Sequence, residues 1–334
     1  MLAPAQVPFS VSVPFEVKAD LYKLGSLALD KPDAGLFWLD AHYPLYTTEK
    51  LTLLKTYPQH GRCYLSHDLV SLENCLWQIV ALIASDLPEY FCFASDTLVS
   101  KLLGISLDKM GKLTFQADGA AFPDLGRQCF EHLQGLEPFD RLCDFLAFCV
   151  QEDLVIMYRN AVAPHANLAE CLLVSLPSHW DPLEKLGLDF AAIHNPVPDN
   201  APLTKAQGNM LKAMTSKGPF VRYNWSLAST PGISQNPKLL PREPRLLKLK
   251  AQDDINTLLD TLQFRVERQT LHSFPDLNRG LFAIRIFQEP LRNTLSSAQR
   301  KTQLAAAIDT MSEAMLNYKG ISHYKDLLLE FLKS

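Results

Sequence analysis

The sequence predicts an α+β fold, an antiparallel five-stranded sheet with a helical crossover, elaborated by helices before and after it. Three observations predict this. Residues 1–150 carry mostly helical periodicity, residues 151–290 hold short β-branched and aromatic runs around one helical stretch, and residues 291–334 return to helical spacing. The expected organisation is a mostly helical N-terminal elaboration (1–150), a sheet core (151–290) and C-terminal helices (291–334).

Proline and aromatic residues crowd the first 60 positions (Phe9, Phe15, Phe37, Trp38, Tyr43, Tyr46), as in short elements wrapped over a larger body. Residues 70–86 predict a helix, with Leu76, Ile79, Val80 and Ile83 at helical spacing and Ser71 as a candidate N-cap. Leu98–Leu103 and Gly126–Val150 also read as helical. Leu154–Tyr158 and Cys171–Leu176 read as strands, joined by a polar loop into a hairpin. W-D-P-L-E-K-L-G gives a compact helical signal, with Asp181 as N-cap, Pro182 at the first helical position and Gly187 as stop. The following D-F-A-A-I-H-N-P-V-P-D-N reads as extended or irregular because of Pro196 and Pro198. Residues 203–217 predict a helix. Phe220–Leu227, Phe264–Leu271 and Leu281–Phe287 predict three more strands, with a capped helix in D-D-I-N-T-L-L-D-T-L before the second. Ser297–Leu316 and Tyr324–Leu332 predict helices, the first with Leu304, Ile308, Met311 and Met315 as its apolar stripe. Two strands, a helical crossover and three antiparallel strands is the plan of a PAS-like core, in which the ligand lies between the sheet and the crossover.

Composition narrows the class of function. Of 334 residues, 47% are hydrophobic and 20% charged, with a net charge of -4, so the chain has ample apolar material for a core and no basic block to follow nucleic acid. The apolar run Leu76–Ala84 is about half the roughly 20 residues a bilayer requires, and the proline-broken N-terminus has no basic region, which points to the cytoplasm without membrane contact. Seven cysteines without C-x-x-C spacing read as buried reduced thiols rather than a disulfide framework or an iron–sulfur site. No P-loop, G-x-G-x-x-G, H-E-x-x-H or G-x-S-x-G motif is present.

Of nine histidines, His194 has the informative setting, in I-H-N-P-V-P. Prolines with fixed φ can hold one imidazole orientation, as an axial ligand of haem iron needs, although the residues alone favour a hydrogen-bonded structural histidine. In F-V-R-Y-N-W-S-L, Phe220, Arg222 and Asn224 share one strand face and Val221, Tyr223 and Trp225 the other. Buried, Arg222 needs an anion, either a structural carboxylate or a propionate. In F-R-V-E-R-Q-T-L, Arg265, Glu267 and Gln269 share a face, with Val266, Arg268 and Thr270 opposite. Glu267 can sit on a solvated face, or beside a pocket hold an alkylammonium or move protons. Lys185 is a surface lysine or a propionate partner, and Trp180 and Trp225 are core or pocket walls.

Six runs taken together resemble one family. They are V-Q-E-D-L-V-I-M (150–157), L-P-S-H-W-D-P-L-E-K-L-G (176–187), I-H-N-P-V-P (193–198), R-Y-N-W (222–225), V-E-R-Q-T-L (266–271) and L-F-A-I-R (281–285). In order and spacing they are similar to the haem-dependent oxidative N-demethylase alpha-subunit family. The resemblance implies a PAS-like fold holding haem b and oxidation of a small secondary amine, dimethylamine-like, by O2 to a primary amine and formaldehyde. It implies electrons from separate flavin and iron–sulfur reductase subunits. It carries His194 onto the iron ligand and Arg222 and Arg268 onto propionate or pocket roles, with Lys185 and Trp225 as further cofactor contacts. Glu267 and Tyr223 are the candidates for receiving the amine. A haem-binding sensor or gas-binding protein without turnover, and a haem-free PAS-like interaction protein, are the rival readings; a Soret absorption separates the last from the other two.

Overall fold

The computed structural model describes residues 2–18, 20–27, 35–159, 167–230, 232–239 and 254–334. In chain order the N-terminal part holds β1 (Tyr22–Lys23), α1 (Tyr43–Thr56), β2 (Arg62–Tyr64) and α2 (Leu69–Asp86). It continues with β3 (Phe91–Ala94), β4 (Thr97–Ser100), β5 (Ile105–Asp108), β6 (Leu113–Phe115), α3 (Pro123–Gln134) and α4 (Pro138–Cys149). The central part holds β7 (Asp153–Arg159), β8 (Asn167–Leu173), α5 (Phe190–His194), α6 (Ala201–Ser216), β9 (Phe220–Ala228), α7 (Ile255–Thr261), β10 (Gln263–Phe274) and β11 (Arg279–Pro290). Then follow α8 (Leu291–Thr294), α9 (Ala298–Asp309), α10 (Glu313–Tyr318) and α11 (Lys325–Lys333).

The fold is mixed α+β with two antiparallel sheets. The larger has the order β1-β9-β10-β11-β7-β8-β2. The five strands expected from residues 151–290 lie consecutively within it, and the sheet reaches seven because two N-terminal strands join its edges. β2 pairs with β8 from Arg62 to Tyr64, and β1 pairs with β9 only at Phe220 and Val221. The N-terminal region, expected to be mostly helical, also holds the second sheet, β3-β4-β5-β6. The predicted helix at Leu98–Leu103 is largely strand β4 and a turn, because Leu98 packs inward while Thr97 and Val99 point outward.

The caps show which local signals prevailed. α2 starts on Asp68, whose carboxylate accepts from Ser71 N at 3.2 Å, so Ser71 is the capped residue rather than the cap. α2 is long and apolar enough to cross a membrane, yet Leu72, Cys75, Leu76, Ile79, Val80 and Ile83 are wholly buried here in the core. Gly126–Val150 divides into α3 and α4 at Gly135. D-F-A-A-I-H is not extended: Asp189 accepts from Ala192 N at 2.8 Å and starts the short α5. The loop 160–166 and residues 240–245 of the proline-rich stretch lie outside the described residues. Tail stripe residues Leu304, Ile308, Met311 and Met315 are buried together against Phe264, Val266 and Phe287.

Charged groups bury where they find complementary partners. Arg279 Nε and Nη2 donate to Glu170 Oε2 and Oε1 at 2.7 and 2.8 Å, both residues being essentially inaccessible. Lys50 Nζ donates to the carbonyls of Ala147, Val150 and Glu152 at 3.1, 3.0 and 2.5 Å, fastening α1 to the α4–β7 junction. Tyr46 Oη donates to Ile286 O at 2.7 Å, beyond the last β11 residue paired with β7.

Removing only the cation at Arg279→Met should cost about 3–5 kcal/mol in urea unfolding, and adding Glu170→Leu should recover most of it, because the loss comes from an uncompensated buried carboxylate. Burial lowers the Lys50 ammonium from 10.5 to about 8, against the opposing pull of Asp153 and Glu152. Between these two values the unfolded chain binds more protons at this residue than the folded chain, so its contribution to stability rises with pH. The unfolding free energy of wild type minus that of Lys50→Met should therefore increase from about pH 7.5 to about pH 10.

Candidate functional site

The site is built on the sheet face that α6 covers at β10 and β11, with α5 resting on β8 and α6. Asp181 Oδ1 accepts from Leu183 N at 3.2 Å and opens a single 3-10 turn, Pro182–Glu184. Gly187, at φ 77°, turns the chain toward Asp189 and α5, a conformation that favours glycine. His194 is the last residue of α5. Lys185 Nζ donates to Ile193 O at 3.3 Å, and Asn200 Nδ2 donates to His194 O at 3.1 Å, so both flanks of the histidine backbone are held.

The imidazole is held as well. Nδ1 lies 2.7 Å from Phe190 O, a partner that only accepts, which assigns the proton to Nδ1 and leaves the Nε2 lone pair for a ligand role. The Phe190 ring lies 4.2 Å from the imidazole, centroid to centroid. Burial lowers the His194 pKa from its ordinary value, and Arg222 and Lys185 lower it further, while the bond to Phe190 O and the charge of Glu267 oppose them. The neutral ring is the form that binds iron.

Beneath α5, the pleat decides which residues meet. Register pairs Arg222 with Gln269, Asn224 with Glu267 and Ser226 with Arg265. This face continues into Leu271, Ile284 and Ile286, which pack with Phe190, Met210 and Ile193. Glu267 Oε1 accepts from Ser178 Oγ at 2.5 Å, and Oε2 accepts from Gln269 Nε2 at 2.7 Å. Arg265 Nε donates to the same Ser178 Oγ at 2.9 Å, and its other nitrogens donate to Leu176 O, Ile233 O and Gln288 Oε1. Arg222 Nη2 donates to Lys18 O at 3.1 Å, whereas its Nε is buried with no hydrogen-bond partner among the described residues. Burial lowers the Arg222 pKa, against Glu267 and Asp20. Asn224 is exposed in the middle of this strand, although its face is turned toward α5 and α6. An exposed side chain on that face means that sheet and crossover do not close on each other there.

The structure therefore brings together His194, Arg222, Glu267 and Lys185, all within electrostatic reach of the imidazole. It places the other sequence candidates on the opposite face. Register pairs Tyr223 with Arg268 and Trp225 with Val266. Trp225 stacks at 6.0 Å on Phe264 and belongs to the core under the C-terminal helices. Arg268 donates to Leu36 O at 3.1 Å and to Gly35 O, and lies 5.7 Å from the Trp38 ring. Its guanidinium fastens the N-terminal segment rather than facing His194.

Sequence reasoning missed Lys319 and Tyr318. Lys319 Nζ donates to Trp225 O at 2.7 Å. Burial lowers its pKa to about 8, and Glu267 opposes the shift; Glu267 also helps raise the Tyr318 pKa. Nothing in M-L-N-Y-K-G marks these residues, since an ordinary helix end also carries a lysine before glycine. What brings them near is tertiary: Ser312 Oγ lies 2.5 Å from Asp199 Oδ2, tying the start of α10 to the chain just after α5.

Among the described residues no three His, Cys, Asp or Glu side chains converge as a metal site. A haem would ask the protein for one neutral imidazole and for cations at its propionates. His194 suits the first, and the unpartnered Nε of Arg222 suits the second, with Lys185 also in electrostatic reach of the imidazole. The sequence model of the family described as haem-dependent oxidative N-demethylase, alpha subunit-like matches residues 30–329. On that match, over nearly the whole length, the chain belongs to the haem-dependent oxidative N-demethylase alpha-subunit-like family.

Proposed function

We propose that residues 151–290 form a PAS-like core that holds haem b, and that the protein catalyses oxidative N-demethylation of a small secondary amine. The observation that carries the reading is the state of His194: a neutral imidazole whose Nδ1 is spent on Phe190 O, leaving Nε2 for iron. The strand plan supports the PAS-like part, with two strands, the α5–α6 crossover and three antiparallel strands contiguous in the sheet. Family membership supports the haem and the reaction class.

In this reading His194 would bind the haem iron, and Arg222 and Lys185 would hold the propionates. Haem supplies the iron at which O2 is activated. The overall change converts one N-methyl amine, one O2, two electrons and two protons into the primary amine, formaldehyde and water. Glu267 receives the substrate ammonium, a charge-assisted hydrogen bond that orients the N-methyl group. Ser178 and Gln269 fix its carboxylate plane. Tyr223, Trp225 and Arg268 lie outside the proposed site because the sheet separates them from it. An alpha-subunit family implies other subunits, and we infer that flavin and iron–sulfur reductases deliver the electrons.

Haem titrated into the purified chain should give a stoichiometric Soret band, and formaldehyde should form from a secondary N-methyl amine when reductant and O2 are supplied. A Soret band without formaldehyde would favour a sensor, and no Soret band at all would overturn both haem readings. His194→Gly should lose the axial-ligand spectrum and regain it with added imidazole; an unchanged spectrum would remove His194 as ligand. Arg222→Met should weaken haem binding about tenfold with the spectrum of the bound form retained, the loss one charge-assisted hydrogen bond accounts for.

A further inference from the structure

The polar face of β10 carries a directed chain of hydrogen bonds that ends in an unused acceptor. Arg265 Nε donates to Ser178 Oγ at 2.9 Å, and a guanidinium can only donate, so the Ser178 hydroxyl hydrogen goes to Glu267 Oε1, 2.5 Å away. Gln269 Nε2 donates to Glu267 Oε2 at 2.7 Å. Both carboxylate oxygens therefore accept, which fixes the Gln269 amide with its nitrogen on Glu267 and its oxygen free of that bond. Gln269 is 7% exposed, and its Oε1 is buried with no hydrogen-bond partner among the described residues. Its register partner Arg222 has the complementary fault, a buried Nε without a partner among the same residues. An unmet buried donor and an unmet buried acceptor are each costly, and groups of this kind mark places where a bound molecule completes the hydrogen bonding.

The haem reading gives Arg222 a propionate, and Gln269 Oε1 then needs a donor. The substrate ammonium has one to spare: a dialkylammonium carries two N–H bonds, and Glu267 takes one. Gln269 Oε1 lies no more than about 5 Å from Glu267 Oε2, the 2.7 Å bond plus the width of the amide. Two acceptors each about 2.8 Å from a tetrahedral nitrogen stand about 4.6 Å apart, so one nitrogen serves both oxygens. Alternate residues of a strand are about 6.8 Å apart on one face, and Arg265 and Gln269 flank Glu267 on opposite sides. A cation between Glu267 and Gln269 thus sits on the side away from Arg265. The Arg265 charge reaches Glu267 through Ser178 and is otherwise taken by Leu176 O, Ile233 O and Gln288 Oε1.

We propose that Gln269 is a specificity-determining residue, its Oε1 accepting the second N–H of the substrate ammonium while Glu267 accepts the first. This rests on the reading of Glu267 as the ammonium site. A trialkylammonium has one N–H and leaves Gln269 Oε1 unmet; a quaternary ammonium leaves both acceptors unmet. The site counts N–H bonds, a criterion separate from the size of the alkyl groups.

The test uses the full chain loaded with haem, titrated at neutral pH with dimethylamine and separately with trimethylamine while the Soret band and the melting temperature are followed. Dimethylamine should saturate at about tenfold lower concentration, the ratio one charge-assisted hydrogen bond supplies. Gln269→Met keeps the side-chain volume, so selection by size survives it, whereas this factor should disappear. Gln269→Asn, which keeps an amide but withdraws the carbonyl, should lose the factor as well and serves if the Met variant does not fold. Ser178→Ala should weaken both amines and keep the preference, because it touches Glu267 and not Gln269. A preference that survives Gln269→Met, as it would if Oε1 held only a buried water, overturns the proposal, and so does equal binding of the two amines, or of neither, by the wild type. If Glu267→Gln binds both amines as the wild type does, the ammonium reading itself falls. If the wild type takes up no haem, the haem reading falls separately, and calorimetric titration of the haem-free chain with the same two amines decides the role of Gln269 by the same criteria.

Discussion

A buried guanidinium must find acceptors for its donors or cost several kcal/mol, and β10 and β11 carry four of them. Arg265, Arg268, Arg279 and Arg285 are each no more than 1% exposed. Most of the remaining architecture supplies their partners. Arg268 draws the carbonyls of Gly35 and Leu36 onto one face of the sheet, and Arg265 draws those of Leu176 and Ile233 onto the other. Arg285 holds Asp40 at 2.7 Å and lies between the Tyr46 and Phe287 rings, so the start of α1 is fixed to the end of β11. Arg279 fixes Glu170 of β8 and reaches Ser71 of α2. Segments far apart in sequence are thus registered by a handful of forked donors, which specify direction as well as contact.

That registration matters for the site because the site is polar on one side only. Glu267 and Arg268 are adjacent in sequence and opposite in space. One turns toward α5; the other is consumed by the N-terminal segment. The Glu267 carboxylate is held on its own face by Ser178 and Gln269, with Arg265 sharing the Ser178 hydroxyl. The histidine is governed locally in the same manner: a five-residue helix, capped by Asp189 and followed by two prolines, presents its carbonyl at Phe190 to Nδ1. The group that sets the tautomer is a backbone carbonyl, so it does not depend on another side chain holding its place.

Much of this was legible from residues alone. Period-two alternation in F-V-R-Y-N-W and F-R-V-E-R-Q-T-L assigned each side chain to its face, and I-H-N-P-V-P singled out one histidine. What alternation could not supply was which face the crossover would cover; hence Tyr223, Trp225 and Arg268 were grouped with His194 although the sheet divides them. The short strands resisted reading for a different reason. β1 and β2 have two and three residues, too few for any period, and they exist because a long edge is available to pair with. The β3–β4 turn uses Ser95 and Asp96 at φ 49° and 57°, where Asn-Gly would have announced a hairpin. Lys319 was invisible for a third reason: its environment is assembled from β9 and the C-terminal helices, and no local pattern encodes that meeting.

The pairing of β1 with β9 stops at Val221, so among the described residues the outer side of β9 from Arg222 to Ala228 has no partner strand. Such margins invite strands from other molecules, and proteins commonly deter them with lysine. Lys319 occupies the Trp225 carbonyl on that margin and lies over the Trp225 and Phe15 rings. An incoming strand would have to displace a half-buried ammonium and leave it unsolvated. The residue therefore closes one backbone acceptor of that margin to an added strand, whatever the pocket binds.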